Sequence, residues 1–126
     1  MQAGGAQVVV ATDDQRIADE MISRGAQVAM TRADHASGTD RLAEVVEQLG
    51  WEENAIVVNV QGDEPLMPVA NIQRVAAMLN ETQGADMATL MEPLAPADAE
   101  QQSVVKVVAS ETGRACLLYT SDAADE

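Results

Sequence analysis

Asn59 to Pro65 reads N-V-Q-G-D-E-P. The string closes an apolar run, Ala55 to Val58, and precedes a segment of helical period that starts near Pro68. A strand that ends in a polar, acidic, Gly-containing turn is where open α/β sheets place their ligand sites. Gly62 is expected to let the backbone turn sharply and approach a ligand. Asp63 offers a hard oxygen ligand of the kind Mg²⁺ takes, and Gln61 adds a neutral donor and acceptor two residues away. Taken alone, the string reads more simply as an ordinary strand-to-helix loop with a solvated Asp63–Glu64 pair.

The rest of the chain supplies the frame. Apolar runs at Gln7 to Ala11, Gln27 to Thr31, Ala55 to Asn59, Asp86 to Met91 and Val104 to Ala109 are expected as strands. Helices are expected over Asp14 to Arg24, Gly38 to Leu49 and Pro68 to Gln83. In the second, Leu42, Val45, Val46 and Leu49 fall on one face, Ser37 is a natural N-cap with Asp40 near the third position, and Gly50 follows the last turn. Ile72, Val75, Ala76 and Leu79 repeat the stripe in the third, with Pro68 at its start and Gly84 expected to end it. Alternating strands and helices imply a parallel sheet with helices packed on it. All strand C-termini of such a sheet share one rim, which gathers Asp13, Thr31, Arg32, Gln61 and Asp63 on the ligand side. No internal repeat or interdomain linker is visible.

Composition narrows the class. The 126 residues suffice for one domain with a core. A net charge of −14 argues against binding nucleic acid or an anionic membrane, and no stretch approaches the length of a membrane span. A single cysteine, Cys116, makes no internal disulfide and fits a reducing, cytoplasmic setting. Of the seven basic residues, Arg32 and Arg41 bracket a second string, T-R-A-D-H-A-S-G-T-D-R, from Thr31 to Arg41. Its Ser37, Gly38 and Thr39 join small hydroxyls to free N–H groups at a helix start, a donor and acceptor set suited to cytosine, although a plain helix cap explains Ser37 as well. Arg32 is otherwise a surface arginine paired with Asp34. A cation at Arg41, in the first helical turn, opposes the dipole and hints at a partner, although an i, i−3 style pair or a loop carboxylate explains it equally well. His35, the lone histidine, is read as a packing and hydrogen-bonding residue, and one of Asp13 and Asp14 as the cap of the first helix.

Together the two strings closely resemble the cytidylyltransferases that activate 3-deoxy-manno-octulosonate (Kdo), the CMP-Kdo synthetases. V-V-V-A-T-D-D at Val8 to Asp14 and D-M-A-T-L at Asp86 to Leu90 fall in the expected order around them, and the resemblance runs from about Ala3 to Ala115. It implies a Rossmann-like sheet of the nucleotide-diphospho-sugar transferase type with helices on both faces. It also implies transfer of CMP from CTP to Kdo with release of pyrophosphate, Mg²⁺ as cofactor and a homodimeric intact protein. In the roles it implies, Arg32, Ser37, Gly38, Thr39 and Gln61 bind nucleotide, Gln61 also helps orient the sugar, and Asp63 holds the metal.

Three departures from the family pattern qualify these expectations. The family's opening strand and basic loop are absent, Gln2 to Ala6 resembling only the tail of the helix that follows them. A second metal carboxylate is missing too, and Cys116 to Glu126 reads as a non-family tail after a partial domain at 1–115. The chain is therefore expected to be an internal piece whose sheet has unpaired edges at Val8 to Ala11 and Ile56 to Asn59, unless these pair directly. The alternatives are an inactive α/β piece with weak nucleotide or Mg²⁺ binding, and a cytidylyltransferase for another sugar acid such as sialic acid.

Overall fold

The computed structural model describes residues 7–119; the expected helix tail at Gln2 to Ala6 lies outside them. The chain forms two compact units, Met1–Ala88 and Thr89–Glu126. In the first, β1 (Val9–Thr12) and β2 (Gln27–Met30) pair in parallel, Val9 opposite Gln27 and Thr12 opposite Met30. Between them runs α1 (Gln15–Ser23), which packs on both strands. Then follow α2 (Gly38–Leu49), which touches β1, and α3 (Val69–Glu81). This is the βαβ unit that alternating patterns imply, because parallel neighbours need a crossover of helical length.

Ala18 of α1, Ala29 of β2 and Val45 of α2 are the buried apolar residues among those described. The small Ala18 and Ala29 side chains suit the packing of α1 on β2. Asp14 caps α1, its carboxylate accepting the Arg16 N–H at 2.8 Å. Ser37 caps α2 by accepting the Asp40 N–H at 3.2 Å. Gly50 ends α2 at φ +63°, a left-handed conformation that glycine adopts without a Cβ penalty, and the Trp51 N–H then reaches back to the Val46 carbonyl.

The same helix sets the polarity of the unit. Its first turn lies at the C-terminal ends of β1 and β2, where Arg41 bonds Thr31. Beyond its last turn, the Trp51 indole N–H donates to Gln7, which bonds Gln27 at the start of β2. Helix α2 therefore runs antiparallel to the strands and aims the N–H groups of its first turn toward their C-terminal ends.

Two expected strands do not form ladders. Ala55 to Asn59 and Asp86 to Met91 have no strand pairing among the described residues, and Val9–Thr12 does not pair with the former. An apolar run favours burial, but a strand also needs a neighbour's N–H and C=O groups in register. Without one, Ile56 and Val57 stay 42% and 37% exposed. Helix α3 begins one residue after Pro68 and ends at Glu81, so Gly84 (φ +72°) lies in the turn beyond it rather than at its cap.

In the second unit a 3₁₀ turn at Pro96–Asp98 precedes the antiparallel hairpin of β3 (Lys106–Ala109) and β4 (Ala115–Tyr119). The connection turns at Gly113 (φ +81°), and the register shifts between Val108 and Ala109. Cys116 to Tyr119, expected as the start of the tail, lies in β4, where every residue is exposed. Among the described residues no helix is long and apolar enough to cross a membrane.

Candidate functional site

The rim of the first unit is built by β1, β2 and the start of α2. The Arg41 guanidinium donates to the Thr31 hydroxyl at 2.6 Å and lies 3.4 Å from the Asp13 carboxylate. The partner suspected from its unfavourable position is thus a loop carboxylate together with a buried threonine. One side chain ties the ends of both strands to the first helical turn.

Ser37 is engaged twice with one residue. Its hydroxyl accepts the Asp40 N–H and donates to the Asp40 carboxylate at 2.7 Å. One hydroxyl lone pair remains available, and the Gly38 and Thr39 N–H groups have no partner within the helix. Thr39 is exposed. Gly38 has a specific neighbour: a Cβ there would stand 3.7 Å from the Asn59 side-chain nitrogen. The first residue of N-V-Q-G-D-E-P is therefore brought beside S-G-T, across 21 residues of sequence.

Gln61 and Asp63 share one turn, closed by the Glu64 N–H on the Gln61 carbonyl at 3.1 Å. Both side chains are exposed, and neither has a hydrogen-bond partner among the described residues. No hydrogen bond joins this turn to Ser37–Thr39. Asp63 is not the cap of α3, whose N-cap is Pro68 with no side-chain cap bond. The expected role of Gly62 in the turn is corrected: its φ is not positive, and a Cβ there meets nothing within 4 Å. A turn with ordinary dihedrals accepts most residues. Among the described residues no group of three or more His, Cys, Asp or Glu side chains stands together as a metal cluster.

Arg32 follows β2 with its side chain 69% exposed, its Nε 3.6 Å from Asp34 and 3.7 Å from Glu44. Behind it is a cluster that sequence reasoning missed. Glu44 accepts the Arg32 N–H at 3.1 Å, a bond from His35 Nε2, and one from Gln48 at 2.9 Å. The His35 bond holds the Glu44 carboxyl below its ordinary range, with the Arg32 N–H adding to the effect. In sequence Glu44 looks like a solvated helical glutamate; its only signal is the i, i+4 spacing to Gln48. Arg32, Asp34, His35, Asp40, Glu44 and Glu47 line a cleft of about 530 Å³. Four carboxylates against one arginine make it a poor seat for a triphosphate.

Acid should loosen the cap of α1. Asp14 is held at about 2, chiefly by its side-chain bond to Arg16, against an ordinary 3.8. A depressed carboxylate contributes stability that is complete above the unfolded value and disappears as pH falls through the folded one. Stability should therefore decline between pH 3.8 and about 2. Asn still caps but does not titrate, so Asp14→Asn should flatten that decline in urea midpoints measured against pH. An unchanged slope in Asp14→Asn would rule out this origin.

The fold and rim define an α/β protein that presents helix N–H groups, hydroxyls and carboxylates at the C-terminal ends of a parallel strand pair. The chain belongs to the cytidylyltransferase family, whose model matches residues 2–124. It is similar to the 3-deoxy-manno-octulosonate cytidylyltransferase of Pseudomonas syringae pv. tomato (strain ATCC BAA-871 / DC3000), with 62% identity over 87 residues, 69% of this chain and 34% of the relative. The enzymes of the same name from Acinetobacter baumannii (strain AYE) and Idiomarina loihiensis (strain ATCC BAA-735 / DSM 15497 / L2-TR) are each 50% identical. They align over 90% and 97% of this chain, and 45% and 48% of their own lengths. The chain spans about half the length of these two relatives.

Proposed function

We propose that the intact protein transfers CMP from CTP to Kdo and releases pyrophosphate, in the cytoplasm and as a homodimer. The reading rests on one observation: S-G-T at the start of α2 stands beside Asn59, the first residue of N-V-Q-G-D-E-P. The names of the relatives supply the sugar acid.

Cytosine is recognised by the start of α2. The Gly38 and Thr39 N–H groups donate to the O2 and N3 acceptors of the base. The remaining Ser37 lone pair accepts from the N4 amine. Uracil carries an oxygen there and would set one acceptor against another, so this contact discriminates. The exposed Arg32 guanidinium reaches the triphosphate or ribose. Gln61 helps orient the sugar acid.

Asp63 fits a divalent metal by the chemistry of its donor. It is a hard, exposed oxygen ligand with no competing bond, and Mg²⁺ needs only one or two carboxylates when phosphate oxygens and water complete its shell. When bound, Mg²⁺ supplies charge neutralisation at the α-phosphate as the Kdo hydroxyl attacks and pyrophosphate leaves. The residues of this chain hold the reactants in place, since phosphoryl chemistry depends on positioning and electrostatics more than on a strong base.

Pyrophosphate release from CTP and Kdo with Mg²⁺ tests the reaction, and its absence in the intact protein would refute it. Ser37→Ala tests base recognition. It should lose about 1 kcal/mol of stability from the cap. It should also lose about five- to tenfold in CTP-over-UTP preference, the worth of one hydrogen bond. A variant that loses stability alone would show that Ser37 is only a cap.

A further inference from the structure

We propose that Glu44 is a positioning residue for the nucleotide: from α2 it holds the Arg32–Ser37 loop in its binding shape without touching CTP. The inference rests on the cytidylyltransferase reading above. One Glu44 oxygen accepts both the Arg32 N–H and the His35 ring nitrogen, so it grips the loop at two points three residues apart. The other oxygen accepts from Gln48, whose amide also donates to the Met30 carbonyl at 2.9 Å. Glu44 and Gln48, one helical turn apart, thus tie α2 to the last residue of β2 and to the loop that follows. The His35 and Glu44 side chains are only 5% and 19% exposed, so water competes weakly for these bonds.

The Arg32 side chain is treated differently. It is 69% exposed and only loosely approached by Asp34 and Glu44. The backbone of Arg32 is fixed while its charged end, held only by exposed ion pairs, can turn toward a phosphate. Fixing a loop before the ligand arrives removes an ordering cost from binding. If Glu44 is lost, CTP must order that loop itself.

The test uses the intact protein with Glu44→Ala, Glu44→Gln and Val45→Ala. CTP titrations, thermal midpoints and exchange of the Arg32 amide are measured for each. Glu44→Ala should raise the Kd for CTP about tenfold or more and speed exchange at Arg32. Glu44→Gln keeps an oxygen for the Arg32 N–H and should stay within about threefold of the parent. Val45→Ala removes buried methyl groups of the same helix and should lower the thermal midpoint while leaving the Kd and the Arg32 exchange unchanged. Faster exchange in Glu44→Ala with unchanged CTP affinity would overturn the positioning role. Unchanged exchange would overturn the clamp itself, and equal weakening by Val45→Ala would reduce the effect to general stability. If the parent protein binds no CTP, the cytidylyltransferase reading fails and the nucleotide part of this inference falls with it, while the exchange data still decide the clamp.

Discussion

Asp63→Asn in the intact protein is expected to lower turnover about a hundredfold or more while CTP affinity changes by less than about threefold. In the proposed role Asp63 holds the metal: an amide cannot replace a carboxylate as a hard anionic ligand, and the charge to be neutralised grows only in the transition state. Asp63 suits this test because its loss should not disturb the fold. Its side chain is exposed, has no hydrogen-bond partner among the described residues and does not cap α3. The thermal midpoint should stay where it is, so a fall in turnover reports chemistry. Pyrophosphate release at saturating CTP, paired with a CTP titration, separates the two effects. Full turnover in the Asn variant would remove Asp63 from the metal site, and an equal loss in CTP affinity would make it a binding residue instead.

Arg41→Met should lower stability by about 1.5 kcal/mol, the worth of a hydrogen bond from a charged group reduced for partial solvent screening. Arg41 is only 24% exposed at its side chain, and it donates to Thr31, which is 8% exposed. The substitution keeps an apolar stem but leaves that hydroxyl without its donor and Asp13 without its cation. A charged residue here works against the helix dipole, so its retention requires partners that outweigh the cost. A double-mutant cycle with Thr31→Val, read from urea midpoints, should give a coupling of about 1 kcal/mol. Strict additivity would mean that Arg41 acts through some other contact.

The βαβ core was legible because its signals are local. The apolar runs of β1 and β2, the stripe of α2, the Ser37 cap and the Gly50 stop each depend on a few neighbouring residues, and the structure has them all. That one of the acidic pair before α1 is its cap was also legible; that the cap is Asp14, with Asp13 meeting Arg41, was decided by the structure. Strand formation at Ala55 to Asn59 was not, because a ladder belongs to two segments and an apolar run describes only one. The place of Gln61 and Asp63 in a turn ahead of α3 could be read from sequence, but the bond that closes it could not.

By itself the sequence determined the order β1, α1, β2, α2 and α3 and the residue types available at the start of α2. Tertiary structure alone decided which of those residues meet. Asn59 comes beside Gly38, Arg41 joins Asp13 to Thr31, and Glu44 gathers the Arg32 N–H, His35 and Gln48. Periodicity assigns a residue to a face or an edge, but hydrogen bonds act over about 3 Å. That scale is set by how α2 lies against the strand ends, and no spacing along the chain encodes it.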